Sequence, residues 1–544
     1  MGGVSEARSL ASIQSYYSDF RLGCIMALMS APDQTPISEQ TVWVIKKSKI
    51  SGRGLFATKQ IKRGDLIFKN KPLIIGPRGD HARDSFCSTC YTIESNCTPC
   101  NTCSLLLCSQ CTMNENHTKE CDFIFGNWKL KPNCDKQPAD LTRSLIYIRS
   151  LLLDEEEKHL LSIFQKNNDK FPVEELEALC NNYVITEEQV RFMKSVDSIF
   201  KSNAFRVAHD KNSKKVPLRG LYLISGLMNH SCLPNTRNVF CKNHNMAVYA
   251  TRDIAEGEEI LTCYTGLLWC TPARRCQLQK TKHFWCKCER CCDRTEKGTK
   301  LAAFKCLNKA CIGVILPINP LDPISDWQCE RCESSVATAK ISALQSVLGS
   351  LLSTLDLENQ FHLESLVVEK LPHVIPYTNH IFIDLGLRLA MKLGFAEELK
   401  LKELSESRLS LKESLCRGTL RTVAALGAGD AHLRGLLLYH LHAALAERAR
   451  RCPSLYEVPT NQGLCPPGAE SLCRGTLRTV TVLVAGDAHL PLAELKTEIE
   501  CTIEQAFSIL QGDISAPPDI ELRYTYLGPG SDKPHRERFF ILDG

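Results

Sequence analysis

Two short stretches decide the fold of this chain: N-H-S-C-L-P-N at residues 229–235 and, further on, C-K-C-E-R-C at residues 286–291. The second contains Cys286-x-Cys288-x2-Cys291, a spacing from which thiolates reach one tetrahedral zinc ion out of a single tight turn. The first contains a histidine and two asparagines beside a further cysteine. A zinc knuckle therefore follows a polar stretch that has the residue types of a binding or catalytic site.

Two more groups of residues have the spacing of zinc ligands. The earlier group fits two ions, and its eight ligands are Cys87, Cys90, Cys100, Cys103, Cys108, Cys111, His117 and Cys121. Cys97 lies inside this group and competes for a ligand position. The later group combines Cys306-x4-Cys311 with Cys329-x2-Cys332. Because it leaves no position for water, its ion is predicted to be structural rather than catalytic.

The composition describes a globular protein with several domains. The 544 residues are 44% hydrophobic and 23% charged, and the net charge of +5 is too small to indicate nucleic-acid binding. No apolar run approaches the roughly twenty residues that span a bilayer, and the start lacks the pattern of a signal peptide. The 29 cysteines are therefore predicted to be metal-bound or reduced, in a cytosolic or nuclear setting, rather than disulfide-bonded.

Strand and helix patterns together predict an α+β chain. Strands are predicted over 42–75, around Val239, over 247–251 and over 260–264. Helices are predicted near 145–152, after the capping box Thr186-x-x-Gln189, and throughout the leucine-rich carboxy-terminal part. The predicted segments are a flexible leader (1–40), the first part of the β core (41–86), the first cysteine block (87–121), a helical insert (122–200), the second part of the β core (201–285), the two later zinc modules (286–335), a helical domain (336–512) and a tail (513–544).

One passage of the sequence occurs twice. E-S-L-C-R-G-T-L-R-T-V occupies residues 413–423 and 470–480, and A-G-D-A-H-L follows each copy after a short interval. Such close identity indicates a recent duplication rather than a solenoid whose repeats have diverged. A real duplicated helix and an error in the gene sequence fit this pattern equally well.

Four motifs occur in the order that SET domains have: G-R-G-L-F-A-T (52–58), N-H-S-C-L-P-N, G-E-E-I-L-T-C-Y (257–264) and C-K-C-E-R-C. The first cysteine block, inserted among them, resembles a MYND finger. The chain thus resembles the SET-and-MYND (SMYD) proteins, which are protein-lysine methyltransferases that use S-adenosylmethionine. The phrases L-I-I-G-P, W-C-T-P-A-R-R and C-C-D-R-T-E-K-G-T are similar to the arthropod SmydA branch. The resemblance covers about 42–335.

The resemblance implies a β-rich SET core with a pseudoknot, an inserted MYND zinc finger, a post-SET zinc knuckle and a helical carboxy-terminal domain. It implies a cross-brace in the MYND finger, in which one ion is held by Cys87, Cys90, Cys108 and Cys111 and the other by Cys100, Cys103, His117 and Cys121. It also implies that Cys232 joins Cys286, Cys288 and Cys291 around a third ion, which would fasten the post-SET segment over the active site. With the group at 306–332, about four structural zinc ions are expected.

The resemblance assigns the cofactor and catalytic residues as well. Gly52, Arg53 and Gly54 would let the backbone approach S-adenosylmethionine closely. Its polar groups would be hydrogen-bonded by Asn203, Asn229 and His230, and Phe284 would supply an aromatic wall. Tyr264 would be the catalytic residue, with its hydroxyl near the methyl group and the incoming amine. Each residue also has a purely structural interpretation: a turn between strands, a core tyrosine, a capping histidine, or packing beside the metal site.

Three functions remain open from the sequence. The first is a methyltransferase for lysines of histones or other proteins, acting in gene regulation. The second is an inactive SET scaffold that works as an adaptor, its MYND finger binding proline-containing partner peptides, and the third is a zinc-stabilised scaffold without specific partners. Asn229, His230 and Tyr264 are present, which favours the enzyme, although Asn70 and Gly266 stand where the family pattern often has acidic residues. A monomer in the nucleus and cytoplasm, without membrane or nucleic-acid binding, is expected.

Overall fold

The computed structural model describes residues 41–517 except for the segments 79–84, 95, 113–114, 133, 135–137, 163, 167–173, 208–214, 397–398 and 452–491. The predicted leader, most of the predicted tail and the second copy of the repeat lie outside the described residues. Among the helices that are described, none combines the length and apolar character that crossing a membrane requires.

Four strands precede the first cysteine block: β1 (Trp43–Lys47), β2 (Arg53–Ala57), β3 (Leu66–Asn70) and β4 (Ile74–Pro77). In β1 the three apolar residues are buried and the two lysines are exposed, so the strand begins in the core and ends at the surface. β1 pairs antiparallel with β2. Between them Gly52 has a φ of +53°, a left-handed conformation that glycine adopts without a steric penalty.

The first cysteine block and the insert after it consist of short elements. They are β5 (Thr98–Pro99), β6 (Leu106–Leu107), α1 (Glu115–Asn127), β7 (Lys129–Leu130), α2 (Pro138–Arg143), α3 (Leu145–Leu151), α4 (Glu155–Ser162), α5 (Glu174–Asn182), β8 (Tyr183–Val184) and α6 (Glu187–Asn203). The predicted capping box is confirmed, because Thr186 Oγ1 accepts from the Gln189 N–H and the Gln189 side chain accepts from the Thr186 N–H. The helix predicted near 145–152 is confirmed as α3.

The remaining strands of the core are β9 (Phe205–Val207), β10 (Leu218–Leu221), β11 (Thr236–Phe240), β12 (Met246–Ala250) and β13 (Glu259–Ile260). Three sheets form, with the strand orders β1-β2-β13, β4-β10-β9 and β11-β12-β3. Each sheet therefore combines strands from before the first cysteine block with strands from after residue 203. The predicted strand over 260–264 is shorter than expected, because Thr262 pairs instead with His230 in a parallel bridge.

The segment after the core begins with α7 (Thr271–Lys282) and α8 (Glu289–Cys292). Four short strands follow and form one antiparallel sheet in sequence order: β14 (Phe304–Lys305), β15 (Val314–Pro317), β16 (Trp327–Cys329) and β17 (Ser335–Val336). We call residues 304–336 the ribbon. Its buried side chains Phe304, Ile315 and Trp327 belong to the same apolar core as the helices that follow.

Over its described residues the carboxy-terminal part is helical, as predicted, except for one short hairpin. Its elements are α9 (Thr338–Thr354), α10 (Gln360–Ser365), a π-helical turn (Leu366–Lys370), α11 (Leu371–Val374), α12 (His380–Lys392), the hairpin β18 (Phe395–Ala396) and β19 (Leu399–Lys400), α13 (Glu406–Ala425), α14 (His432–Arg451) and α15 (Leu492–Leu510). The first copy of the repeated passage lies in α13, in the loop before α14 and in the first two residues of α14.

That loop fastens the helical domain to the β core. Gly429 has a φ of +57°, and an added Cβ there would lie 2.0 Å from the carbonyl oxygen of Thr251, so only glycine fits. The next residue, Asp430, donates its N–H to the same carbonyl at 2.9 Å. Its carboxylate accepts two hydrogen bonds from the guanidinium of Arg63, each of 2.5 Å. The A-G-D-A-H-L passage thus has a docking role in its first copy.

Candidate active site and zinc sites

The structure brings the predicted zinc ligands together in four sets. They are Cys87, Cys90, Cys108 and Cys111; Cys100, Cys103, His117 and Cys121; Cys232, Cys286, Cys288 and Cys291; and Cys306, Cys311, Cys329 and Cys332. Within each set the ligand atoms all lie within 4.8 Å of one another. We call the third the knuckle set and the fourth the ribbon set. Cys97 packs against the first set without belonging to it.

The spacing of the sulfur atoms fits tetrahedral zinc. A Zn–S bond of about 2.3 Å places two ligand sulfurs of a tetrahedron about 3.8 Å apart, whereas a disulfide requires about 2.05 Å. The measured Sγ–Sγ distances are 3.8 Å for Cys90 and Cys108, 3.9 Å for Cys232 and Cys286, and 3.8 Å for Cys311 and Cys329. Four soft ligands without a carboxylate are typical of closed, structural zinc sites.

A buried arginine covers the knuckle set. Arg274 of α7 has no exposed surface, and its guanidinium donates to the Sγ atoms of Cys232 at 3.1 Å and Cys291 at 3.6 Å. Four thiolates around Zn²⁺ carry a net charge of −2, which this cation partly neutralises. Glu296 is also buried and accepts from Arg274 at 2.6 Å and from Arg290 at 3.1 Å. The knuckle set therefore rests on a buried Arg-Glu-Arg cluster.

His230 connects the knuckle set to the predicted catalytic tyrosine. Its Nδ1 accepts the backbone N–H of Tyr264 at 3.0 Å, and its Nε2 lies 3.2 Å from Cys232 Sγ. Because Nδ1 is an acceptor, the ring proton is on Nε2 and points at the thiolate. Burial lowers the pKa of His230 to about 4, which keeps the ring neutral. Both ring nitrogens therefore contact protein groups.

Tyr264 is held by its hydroxyl as well as by its backbone. The hydroxyl donates to the carbonyl oxygen of Met228 at 2.6 Å. Burial raises the pKa of Tyr264 to about 12, so the side chain is a neutral phenol at physiological pH. Its ring lies beside the His230 ring, with 5.1 Å between centroids, and the Phe284 ring is 5.9 Å from His230 on a similar tilt. These three rings form one cluster.

Asn229 and the glycine turn of β2 are tied together. The Nδ2 of Asn229 donates to the carbonyl oxygen of Arg53 at 3.0 Å and to Glu259 Oε1 at 2.7 Å. Glu259 also accepts from the Ser48 hydroxyl at 2.8 Å. An added Cβ at Gly54 would lie 2.2 Å from Glu259 Oε1, so the space that this glycine leaves is filled by the Glu259 carboxylate.

Asn203, the last residue of α6, lies near the end of α7. Its Nδ2 donates to the carbonyl oxygens of Ile199 at 2.8 Å and Gln165 at 2.9 Å. Close by, Lys282 at the end of α7 donates its Nζ to the carbonyl of Ser202 at 2.5 Å. The same Nζ lies 5.5 Å from the centroid of the Tyr264 ring. Burial lowers the pKa of Lys282 to about 8.

Asn70 and Gly266, the two residues that depart from the family pattern, both contact neighbouring segments of the protein. Asn70 Oδ1 accepts the backbone N–H groups of Ile224 at 3.0 Å and Ser225 at 3.1 Å. It thereby caps the 3-10 turn that leads into the 229–235 stretch. At Gly266 an added Cβ would lie 2.7 Å from the ring of Trp269. Both residues therefore support local packing.

Several residues of the site were missed by sequence reasoning. They are Glu259, Arg274, Lys282, Arg290 and Glu296. All but Lys282 lie within the motifs G-E-E-I, W-C-T-P-A-R-R, C-K-C-E-R-C and C-C-D-R-T-E-K-G-T. They were missed because no spacing rule links a charged residue to a partner far along the chain. The one available signal was the density of arginine and glutamate around a zinc knuckle.

Comparisons with known proteins identify this architecture. A family model described as SET domain matches residues 52–265. The Drosophila melanogaster protein "SET domain-containing protein SmydA-8, isoform A" is 30% identical over 414 residues, which are 73% of this chain and 88% of that protein. The human "N-lysine methyltransferase SMYD2" is 26% identical over 290 residues, 46% of this chain and 60% of that protein.

Human "Histone-lysine N-methyltransferase SMYD3" is 28% identical over 269 residues, 44% of this chain and 59% of that protein. A solved structure, the SET domain of LSMT bound to lysine and AdoHcy, covers 95% of this chain and 93% of that chain with 12% identity and a TM-score of 0.23, too low to support an inference. From the SET match, the SmydA-8 identity and the zinc sets in their predicted positions, the chain belongs to the SET-and-MYND (SMYD) family, in its SmydA branch.

Proposed function

We propose that this chain is an S-adenosylmethionine-dependent protein-lysine N-methyltransferase. The observation that carries the proposal is the continuous contact from Cys232 through His230 to Tyr264. The knuckle set thereby fixes the position of a tyrosine whose hydroxyl is oriented by Met228. Tyr264 is thus fixed at both its backbone and its hydroxyl, the rigid placement that alignment of a substrate amine requires.

The donor set fits the cofactor that SET domains use. S-adenosylmethionine presents an ammonium, a carboxylate, ribose hydroxyls, an adenine ring and a sulfonium, and it supplies an electrophilic methyl group when bound. Asn203 and Asn229 commit their amide nitrogens to protein carbonyls, which leaves their oxygens as acceptors for donors of the cofactor. Arg53 would pair with a carboxylate, and the Tyr264 and Phe284 rings would face the adenine and the sulfonium.

Tyr264 would direct the transfer. Because its hydroxyl proton points at Met228, the lone pairs of the oxygen remain for the substrate amine and the methyl hydrogens. Alignment of the reacting atoms at about 3–3.5 Å is the main requirement of an in-line displacement. A phenol with a pKa of about 12 can orient the amine without competing as a nucleophile.

The substrate amine must lose its proton and its water before it attacks. Neutral His230 adds no charge near the site, whereas the Lys282 ammonium disfavours a second cation close by. An incoming lysine is therefore expected to deprotonate more readily there than in water, with its proton leaving to solvent. The aromatic cluster of His230, Tyr264 and Phe284 excludes water on one side.

Calorimetry with S-adenosylmethionine and methyl transfer to a panel of histones and other proteins test the proposal. Wild type is expected to bind the cofactor and to transfer methyl groups. Tyr264→Phe is expected to bind it with similar affinity but to lose activity by about 100-fold, because the amine is no longer aligned. No heat with the wild-type protein would favour the adaptor function instead.

A matched control comes from Tyr222, a fully buried tyrosine of the core. Its hydroxyl donates to the carbonyl of His244 at 2.6 Å, so Tyr222→Phe removes an equivalent hydrogen bond and leaves the one between Tyr264 and Met228 in place. This variant is expected to keep wild-type activity per folded molecule. If both variants lose activity equally, the effect of Tyr264→Phe is one of stability and does not support a catalytic role.

The finer parts of the function rest on the family resemblance. We infer that the substrates are lysines of histones or other proteins, that the chain acts in gene regulation, and that it works as a monomer in the nucleus and cytoplasm. We further infer that the MYND finger (87–121) binds proline-containing peptides. Cross-linking of the finger to a proline-rich peptide, with a scrambled peptide as control, tests this last inference.

A further inference from the structure

Lys282 is a cation in the proposed site that contacts both the end of α6 and the ring of Tyr264. Its Nζ donates to the carbonyl oxygens of Ser202 at 2.5 Å and Lys201 at 3.5 Å. These carbonyls belong to the last turn of α6, where carbonyls lack a partner within the helix and the helix dipole is negative. Lys282 therefore caps the carboxy-terminal end of α6.

The same ammonium also contacts the proposed catalytic residue. Its Nζ lies 5.5 Å from the ring centroid of Tyr264, within the distance of a cation–π contact. The pKa of Lys282, lowered by burial to about 8, still leaves most of the side chain charged at pH 7. Among the described residues its partners are carbonyls and a ring rather than a carboxylate.

Three segments of the proposed site meet at this side chain. The residue after Ser202 is Asn203, one of the proposed cofactor residues. Tyr264 lies beneath the ammonium, and Phe284 follows two residues after Lys282 in the chain. A shift of the end of α6 would therefore move Asn203 relative to the aromatic cluster.

We propose that Lys282 is a positioning residue for the cofactor: it holds the end of α6, and with it Asn203, against the ring of Tyr264. This inference rests on the proposed function, because it assumes that S-adenosylmethionine binds between these groups. It assigns Lys282 no bond to the transferred methyl group or to the departing proton; the charge of Lys282 acts on the substrate amine only through space.

The test compares three variants of the full-length protein. Lys282→Met removes the charge and the donors at nearly the same length, and Lys282→Arg keeps both. Lys280→Met is the matched control, since Lys280 lies in the same last turn of α7 but is exposed. The dissociation constant of S-adenosylhomocysteine is measured by calorimetry, together with zinc content and the unfolding temperature.

Lys282→Met is expected to weaken binding by about tenfold, because the loss of a charged hydrogen bond to the end of α6 leaves Asn203 unsupported when the cofactor binds. Lys282→Arg should restore most of the affinity, and Lys280→Met should leave it unchanged. Zinc content should be the same in all three, and Lys282→Met should unfold no more than about 5 °C lower, as expected for one lost hydrogen bond. Wild-type affinity in Lys282→Met, or no rescue by arginine, overturns the positioning role while the proposed function stands.

Stability and wild-type binding decide two further outcomes. If Lys282→Met loses zinc or unfolds more than about 10 °C lower, well beyond the effect of one hydrogen bond, the residue supports the fold as a whole and the positioning role is overturned. If the wild-type protein does not bind S-adenosylhomocysteine at all, the proposed function fails and this inference fails with it.

Discussion

The knuckle set and the ribbon set each consist of four cysteines, but their surroundings are very different. In the knuckle set Cys232 and Cys291 have no exposed surface, and the set joins segments that lie 54 residues apart. In the ribbon set Cys332 is exposed and all four ligands lie within the ribbon itself. The comparison shows that the consequence of a zinc site depends on the segments it joins rather than on its ligands.

The charge around the two sets differs in the same way. Arg274, fully buried, donates to two sulfurs of the knuckle set. In the ribbon set the neighbour of Cys306 and Cys332 is the uncharged Ser334 hydroxyl, at 3.8 and 3.2 Å. Solvent can screen the charge of the ribbon set because that set is open to water. The knuckle set is largely closed to water, so a protein cation has to balance its charge.

The largest expected effect comes from removing a ligand of the knuckle set. Cys286→Ser should lose one zinc ion per molecule and all measurable cofactor binding, because Cys232, His230 and Tyr264 lose their common anchor. Elemental analysis and calorimetry measure the two quantities. Cys97→Ser, a change of the same type at a cysteine outside the four sets, should affect neither. Retained cofactor binding in Cys286→Ser would break the proposed link between zinc and active site.

The next largest effect is expected at the buried arginine. Arg274→Met leaves Glu296 with one partner fewer and the thiolates without their cation, which should destabilise the protein by about 3–5 kcal/mol and weaken zinc binding about 10–100-fold. Denaturant unfolding and zinc competition measure these changes. Arg331, exposed beside the ribbon set, provides the control, since Arg331→Met should change stability by less than about 0.5 kcal/mol.

How far the sequence predicts these sites follows from how local they are. Closely spaced cysteines indicate zinc ligands on their own, whereas the addition of the distant Cys232 to the knuckle set was predicted only from the family resemblance. The cluster of Arg274, Arg290 and Glu296 forms only when α7, α8 and the following loop meet. Its residues have no fixed spacing in the sequence. The contact of Lys282, the last residue of α7, with the end of α6 likewise follows no spacing rule.

The fold shows the same division between local and long-range information. The capping box at Thr186 and the helix over 145–151 depend on neighbouring residues and were predicted correctly. The predicted strand over 260–264 ends at Ile260, because Thr262 pairs with His230 in a bridge that the sequence pattern does not encode. The approach of the Gly54 backbone to the cofactor stays a prediction, and the Glu259 carboxylate that occupies the Cβ side of this glycine is a distant partner that the sequence did not indicate.

A smaller effect on cofactor affinity is expected when a chelator removes the zinc ions one after another. Because Cys332 is exposed and the knuckle set is covered by Arg274, a chelator should remove the ribbon ion well before the knuckle ion. Release is followed with a coloured zinc indicator while cofactor affinity is measured on samples taken at each stage. The first ion to leave should not change that affinity. Early loss of cofactor binding would mean that the knuckle set is the more accessible one.

The smallest effect on the active site is expected from the ribbon itself. Cys332→Ser should lose one zinc ion and loosen residues 304–336, which hydrogen exchange can detect as local unfolding. The cofactor dissociation constant should stay within about twofold of wild type, since distant and independent sites affect each other little. The ribbon shares its core with the helical domain through Phe304, Ile315 and Trp327, so a larger change is the informative exception. It would mean that the helical domain transmits the state of the ribbon to the site, and that both zinc sets support catalysis.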